Sequence, residues 1–255
     1  MEIISEHTFR IIVLSWITLG IILFPLLIKI TVPYGRHSNK KWGPVIDNQL
    51  GWIIMELPSP LLFTFLVFTG NNQIGWPVIV FVILWLVHYA NRIFIFPQLI
   101  HTKGKKMPLL IVVLGIFFNC MNAGINGYWI GYISPVYMPE WLLDPRFLAG
   151  IIVFITGFII NQNSDYYLIS LRKGGRKGYF IPHGKFFRYI SCPNFLGEIM
   201  EWTGFAIMTW SLPGISFAVW TAANLVPRAI HHHKWYKDTF PDYPTRRKAI
   251  IPWIL

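Results

Sequence analysis

The sequence predicts an all-α integral membrane protein of seven transmembrane helices, a single domain over residues 1–255, with its N-terminus outside and its C-terminus cytoplasmic. Three observations predict this: an apolar composition, charge-poor runs near the length of a bilayer crossing, and basic residues confined to alternate connections. Of the 255 residues, 54% are hydrophobic and only 13% charged, with a mean hydropathy of +0.49. A soluble domain of this size needs far more charge to cover its surface.

The first expected span, Ile11–Ile28, carries no charge over a length approaching a bilayer crossing. No small-residue cleavage site follows it, so it reads as retained rather than as a signal peptide. The second, Gly51–Phe68, contains Glu56, and the third, Pro77–Ile95, contains His88, Tyr89, Asn91 and Arg92. The fourth, Leu109–Ile133, places Asn119, Asn122 and Asn126 at spacings of three and four, on one helix face. The fifth, Phe147–Ile160, runs into Asn161, Asn163 and Asp165. In the sixth, Phe195–Leu212, Asn194 at the entry joins Glu198 and Glu201 in one polar stripe on an otherwise greasy helix. The seventh, Ile215–Val226, is short, and its helix is expected to continue past Pro227 toward Tyr236. Turns fall at Gly70-Asn71-Asn72 and Leu212-Pro213-Gly214. No internal repeat or linker divides the chain.

The formal net charge is +11, yet its distribution argues for topology rather than nucleic acid. The connections after spans one, three and five, together with the segment after span seven, hold 19 of the 22 Lys and Arg residues. That alternation sets the orientation given above by the positive-inside rule. No aromatic-basic binding module accompanies it, so nucleic-acid binding is not expected. Cys120 and Cys192 are too few for a disulfide framework and lack a Cys-x-x-Cys partner.

An ionisable side chain inside a span costs roughly 2.5–3.5 kcal/mol on insertion scales, so each one calls for a reason. Hydrogen-bonded glue between helices is one reason. Six of the seven spans contribute such residues, however, many of them near cytoplasmic ends, and a polar cavity opening to the cytoplasm accounts for the set. Both transport and catalysis need such a cavity. The C-terminal segment adds Arg228, His232 and Tyr236 at intervals of four, on one face. The loop Leu171–Tyr179 (LRKGGRKGY) adds four cations among three glycines, which suits an anionic ligand such as a pyrophosphate. There is no GxGxxG after a strand and no GxxxxGK[ST]. His231, His232 and His233 are consecutive, so on a helix they diverge by about 100° each and cannot converge on one ion; no metal is expected.

Taken together, these segments resemble the steroid 5α-reductase (3-oxo-5α-steroid 4-dehydrogenase) family. The resemblance is carried by ELPS at Glu56–Ser59, HYxxR at His88–Arg92, NxxSD at Asn161–Asp165 and LRKxG at Leu171–Gly175. It continues with YxIPxG at Tyr179–Gly184, NFLGEIxEW at Asn194–Trp202, RAxHHHxxY at Arg228–Tyr236 and DYPxxRKAIIP at Asp242–Pro252. The pieces occur in family order over nearly the whole chain. The resemblance implies a seven-helix, NADPH-dependent membrane enzyme acting on a steroid or sterol-like substrate, as a monomer within membrane lipid. The membrane would be the endoplasmic reticulum in a eukaryote or the inner membrane in a bacterium, with the cofactor on the cytoplasmic side. Asn161, Asp165, Arg172, Tyr179, Asn194 and Glu198 match positions that hold the nucleotide, pyrophosphate and riboses. Arg228, His232 and Tyr236 match positions toward the nicotinamide, and Glu56 and Tyr89 match the pair that hydrogen-bonds the steroid 3-oxo group. Glu201 is expected behind them, as a partner of Arg92 or another buried cation. Met55 and Gly174 depart from the family pattern, and HTKGKK at His101–Lys106 matches it poorly, so no phosphate role is carried over to Lys103 or Lys105. The competing readings are a reductase of polyprenol, enoyl-CoA or other sterol double bonds, an isoprenylcysteine-type methyltransferase, and a small-solute transporter.

Overall fold

The computed structural model describes residues 4–31, 42–100, 104–175 and 178–255. Several basic residues of the expected cytoplasmic connections, including Arg36, Lys103, Arg176 and Lys177, lie outside them. The elements in chain order are α1 (Glu6–Lys29), β1 (Val45–Asp47), α2 (Asn48–Glu56), α3 (Pro58–Thr69), α4 (Trp76–Ala90), α5 (Phe96–Leu99), β2 (Lys106–Pro108), α6 (Leu109–Tyr128), α7 (Pro145–Ser170), α8 (Pro193–Thr209) and α9 (Leu212–Thr239).

Five stretches are helical, long and apolar enough to cross a membrane: α1, the run from α2 through α3, the run from α4 through α5, Leu109–Ile133, and α7. They coincide with the first five expected spans. The sixth and seventh fall on α8 and α9, helices of 17 and 28 residues that are not among the five long and apolar enough to cross. The expected continuation past Pro227 is present, since α9 runs through this proline to Thr239.

Local chemistry fixes where the helices break. Asp47 caps α2 by accepting from the backbone N–H groups of Gln49 and Leu50. Pro58 stands in the first turn of α3, where no helical donor is required of it, so the second crossing breaks just after Glu56. The third crossing loosens into one π-helical turn, Asn91–Ile95, between α4 and α5. Such a turn holds an extra residue and re-aims the side chains on it. The short antiparallel ladder β1–β2 pairs Ile46 with Met107 and brings residues 106–108 beside the entry to α2.

Helices α7 and α8 form the most extensive pair in the structure. Glycines let them meet: a Cβ on Gly157 would lie 2.5 Å from the backbone nitrogen of Glu201, and one on Gly197 the same distance from that of Asn161. An aromatic core lies beside this pair, with Phe63 stacked on Trp85 at 4.1 Å and Trp202 stacked on Phe217 at 4.1 Å. The C-terminal segment returns to the start of α8, where Ser191 and Cys192 donate their backbone N–H groups to Lys248 and Ala249.

Candidate active site

A cavity of about 370 Å³ opens between α1, α2, α4, α6, α8 and α9. Leu19, Leu23 and Leu27 of α1, Ile111, Leu114 and Phe117 of α6, and Trp220 of α9 make most of its wall apolar. Its volume falls within the range of small-molecule sites, and a few convergent polar groups mark one side of it. Those groups are Glu56, His88, Tyr89, Arg92, Asn119, Glu198 and Arg228.

The polar side is a connected network. Tyr89 donates its hydroxyl to Asn119 Oδ1 at 3.0 Å. Asn119 Nδ2 in turn donates to the Met55 carbonyl at 2.7 Å and to Glu56 Oε2 at 3.3 Å. The other oxygen of Glu56 lies 3.6 Å from Arg92 Nη2. Arg92 sits on the π-helical turn over the face of Trp52, 4.6 Å from the ring centre. Its second terminal nitrogen approaches Asp165 Oδ2 at 4.0 Å. Asp165 accepts from Asn194 Nδ2 at 2.9 Å. Asn161 Nδ2 completes the chain, donating to the Asn194 carbonyl at 2.9 Å and to Glu198 Oε2 at 3.4 Å.

Four helices therefore bring Glu56, Tyr89, Asn161, Asp165, Asn194 and Glu198 into one hydrogen-bonded and ionic patch linked through Asn119 and Arg92, and Arg228 lines the cavity beside Glu56, Tyr89 and Glu198. The Asn194–Glu198–Glu201 stripe divides. Asn194 and Glu198 face α7, whereas Glu201, fully buried, pairs with His88 Nδ1 at 2.8 Å. The partner of Glu201 is thus His88 and not Arg92, which lies between Glu56 and Asp165.

Of the remaining predicted residues, Arg172 and Tyr179 form a second, basic group, while His232 and Tyr236 pack elsewhere on α9. Arg172, just past the end of α7, places its guanidinium 4.9 Å above the ring of Tyr179. Lys105 approaches the same ring at 5.7 Å, and Trp235 meets it edge-on at 5.0 Å. Burial, and then the Arg172 guanidinium, hold the Lys105 ammonium below its usual range. Two cations at one ring, with no carboxylate within ion-pair distance among the described residues, leave positive charge for an anion. The HTKGKK segment matches the family pattern poorly, and the place of Lys105 beside Tyr179 follows from the β1–β2 ladder that fixes residues 106–108. His232 packs at 5.6 Å from the ring of Phe195, and Tyr236 stacks on Tyr243 at 5.2 Å. Its neighbours point elsewhere, His231 Nε2 to the Ile28 carbonyl and His233 Nδ1 to Ser191 Oγ.

Asn119 and His88 are the polar residues that sequence reasoning noted without assigning a role. Their only signal was an ionisable or amide side chain on an apolar helix. The donor set accommodates a dinucleotide: Asn161, Asp165, Asn194 and Glu198 offer amides and carboxylates to hydroxyl and amino groups, and Arg172 with Lys105 offers charge to phosphates.

Residues 105–255 match the family model described as 3-oxo-5-alpha-steroid 4-dehydrogenase. The chain is similar to the 3-oxo-5-alpha-steroid 4-dehydrogenase 1 of Bos taurus, 39% identical over 241 residues and 93% of both chains. It is 38% identical over the full length of both chains to a steroid 5-alpha-reductase of Arabidopsis thaliana. With the corresponding type 1 enzyme of Homo sapiens it shares 38% identity over 87% of this chain and 85% of the relative. Homology over nearly the whole length, on a largely helical frame, makes this protein a member of the 3-oxo-5-alpha-steroid 4-dehydrogenase family of membrane oxidoreductases.

Proposed function

We propose that this oxidoreductase reduces the Δ4 double bond of a 3-oxo-Δ4-steroid to its 5α-dihydro form with NADPH, in a seven-span arrangement whose nucleotide side faces the cytoplasm. In a eukaryotic host the membrane is that of the endoplasmic reticulum. One chain supplies every residue of the proposed site. The observation that carries the reading is the continuity of two compartments, an apolar cavity ending at Glu56, Tyr89 and Asn119, and a patch of Asn161, Asp165, Asn194 and Glu198 joined to it through Arg92.

Bound NADPH supplies the hydride that reaches C5. The chain's part is to hold the reactants and to stabilise the negative charge that develops on the 3-oxo oxygen. Tyr89 is the natural donor to that oxygen, its hydroxyl now resting on Asn119 at 3.0 Å. Asn119 Nδ2 fixes Glu56, which donates to the ketone in its protonated form. Donors aimed at a charge that is full only in the transition state act on kcat more than on substrate binding. Asn161, Asp165, Asn194 and Glu198 hold the nucleoside portions, Arg172 and Lys105 with Tyr179 hold the pyrophosphate, and Arg228, His232 and Tyr236 stand toward the nicotinamide. The apolar wall from Leu19 to Leu27 takes the steroid rings by burial.

The test uses purified protein with testosterone or progesterone. Glu56→Gln and Tyr89→Phe should each lower kcat by about 10²–10³-fold, the loss typical of an oxyanion donor. Asn194→Ala and Arg172→Ala should weaken NADPH binding, read from the fluorescence of the bound cofactor. Turnover at the parent rate in both of the first pair would overturn the polarising role. Binding of S-adenosylmethionine without NADPH oxidation would favour the methyltransferase reading instead.

A further inference from the structure

The reduction leaves one atom unaccounted for. Hydride addition at the β-carbon of an enone yields an enolate, and the α-carbon must then receive a proton. Glu56 and Tyr89 are committed to the oxygen, so neither is free for the carbon. Resting on the reading above, we propose that His88, backed by Glu201, is the acid that protonates the α-carbon.

His88 and Glu201 are 2% and 0% exposed, and His88 lines the same cavity as Tyr89 and Glu56. Its ring lies edge-on to Tyr89 at 5.0 Å and to Trp202 at 4.7 Å, which fixes it against the two groups that frame the reactive end. Nδ1 is engaged by Glu201 Oε1 at 2.8 Å, while Glu201 Oε2 is buried and has no hydrogen-bond partner among the described residues. Nδ1 is thus taken, and the ring's other polar atom, on a residue that lines the cavity, is Nε2.

Electrostatics decides what Nε2 carries. A buried pair is stable when its net charge is zero, since an uncompensated charge is strongly disfavoured away from water. Two protonation states meet that condition. In one, an imidazolium faces a carboxylate and both ring nitrogens bear protons. In the other, Glu201 is a carboxylic acid donating to Nδ1, and the neutral ring carries its proton on Nε2. Nε2 is protonated in both.

In the step, the Nε2–H bond breaks and a C–H bond forms at the α-carbon from the enolate's electron pair. The ketone is regenerated. The proton on the Nδ1–Glu201 hydrogen bond settles on Nδ1, so the ring ends neutral and the carboxylate ends ionised. The pair then carries one negative charge, with Arg92 the cation on the same cavity. A proton from water restores it before the next turnover. The electrons come entirely from the hydride of the reduced nicotinamide dinucleotide.

Three measurements test the assignment. In cofactor-free protein labelled with ¹⁵N-histidine, the His88 resonance, identified by its loss in His88→Gln, should show a protonated Nε2; an unprotonated Nε2 would overturn the proposal without reference to turnover. In His88→Gln, kcat should fall about 10²–10⁴-fold, the range of general acid catalysis, with steroid and NADPH affinities near those of the parent. The solvent deuterium isotope effect should rise and the effect of deuterated cofactor should shrink, because protonation becomes limiting. Glu201→Gln, which keeps a hydrogen bond to Nδ1 but cannot pass a proton, should shift the isotope effects in the same direction. A loss of kcat with both isotope effects unchanged would make the pair merely structural and sink the idea. In the parent, the label from deuterated cofactor must reach the β-carbon. If it does not, the reduction reading itself fails, a result separate from failure at His88.

Discussion

At the scale of single residues, Asn119 shows how one amide sets the chemistry of two neighbours. It accepts from Tyr89 and donates to both Met55 and Glu56, so its orientation is determined by three partners. Asn119→Leu should keep the helix and fill the space while freeing both side chains. The expected outcome is a fall in kcat of about 10²-fold or more with unchanged NADPH affinity, measured by steady-state kinetics and cofactor titration. Much of this residue-level site was legible beforehand. Asn161, Asp165, Asn194 and Glu198 fell on the right faces because helical periodicity alone places residues three and four apart together. The partner of Glu201 was not legible. A buried carboxyl group calls for a partner, and which of His88 and Arg92 supplies it is not written in their spacing: Arg92 stands on a π-helical turn that nothing in the order NRIFI announces. Lys105 escaped for a related reason: its place depends on the pairing of β1 with β2, two short strands separated by 58 residues between Asp47 and Lys106.

At the scale of elements, the glycine-lined contact of α7 and α8 is the foundation of the patch proposed to hold the nucleotide. Asn161 and Asp165 project from one helix, Asn194 and Glu198 from the other, and their hydrogen bonds span the seam. Gly197→Val would drive side-chain atoms into the backbone of Asn161, since even a Cβ there would lie 2.5 Å from its nitrogen. Overpacking of this kind costs typically about 1–3 kcal/mol. A lower melting temperature in detergent and weaker NADPH binding should appear together, by thermal unfolding and fluorescence titration. A variant that melts early yet binds normally would show that the seam and the patch are independent. The first five expected spans were readable because they are continuous apolar runs. The sixth and seventh were read as spans too, yet α8 is a short helix of 17 residues, and the polar residues of α9 lower the hydropathy by which a crossing is recognised.

At the scale of the whole molecule, the basic excess and the cavity make one prediction about direction. If the connections rich in Lys and Arg face the cytoplasm, a cysteine introduced at Gly104 should react with an impermeant maleimide only from that side of sealed vesicles. A cysteine at Gln73, between α3 and α4, should react only from the other. Labelling of both from one side would overturn the orientation. The outward surface agrees with a lipid setting, since Phe65, Phe94 and Ile152 are more than 60% exposed on otherwise apolar helices.

Arg92 has a further consequence at this scale. One of its terminal nitrogens approaches Glu56 beside the cavity proposed for the steroid, the other Asp165 in the patch proposed for the nucleotide. Whatever occupies either compartment changes the field felt in the other, so the two ligands should be thermodynamically linked. The factor by which NADP⁺ tightens or loosens a non-reacting steroid must equal the factor by which that steroid alters NADP⁺ affinity. Arg92→Gln should bring both factors toward one, and paired calorimetric titrations would read it. On that reading, a single guanidinium would report to each reactant whether the other has arrived.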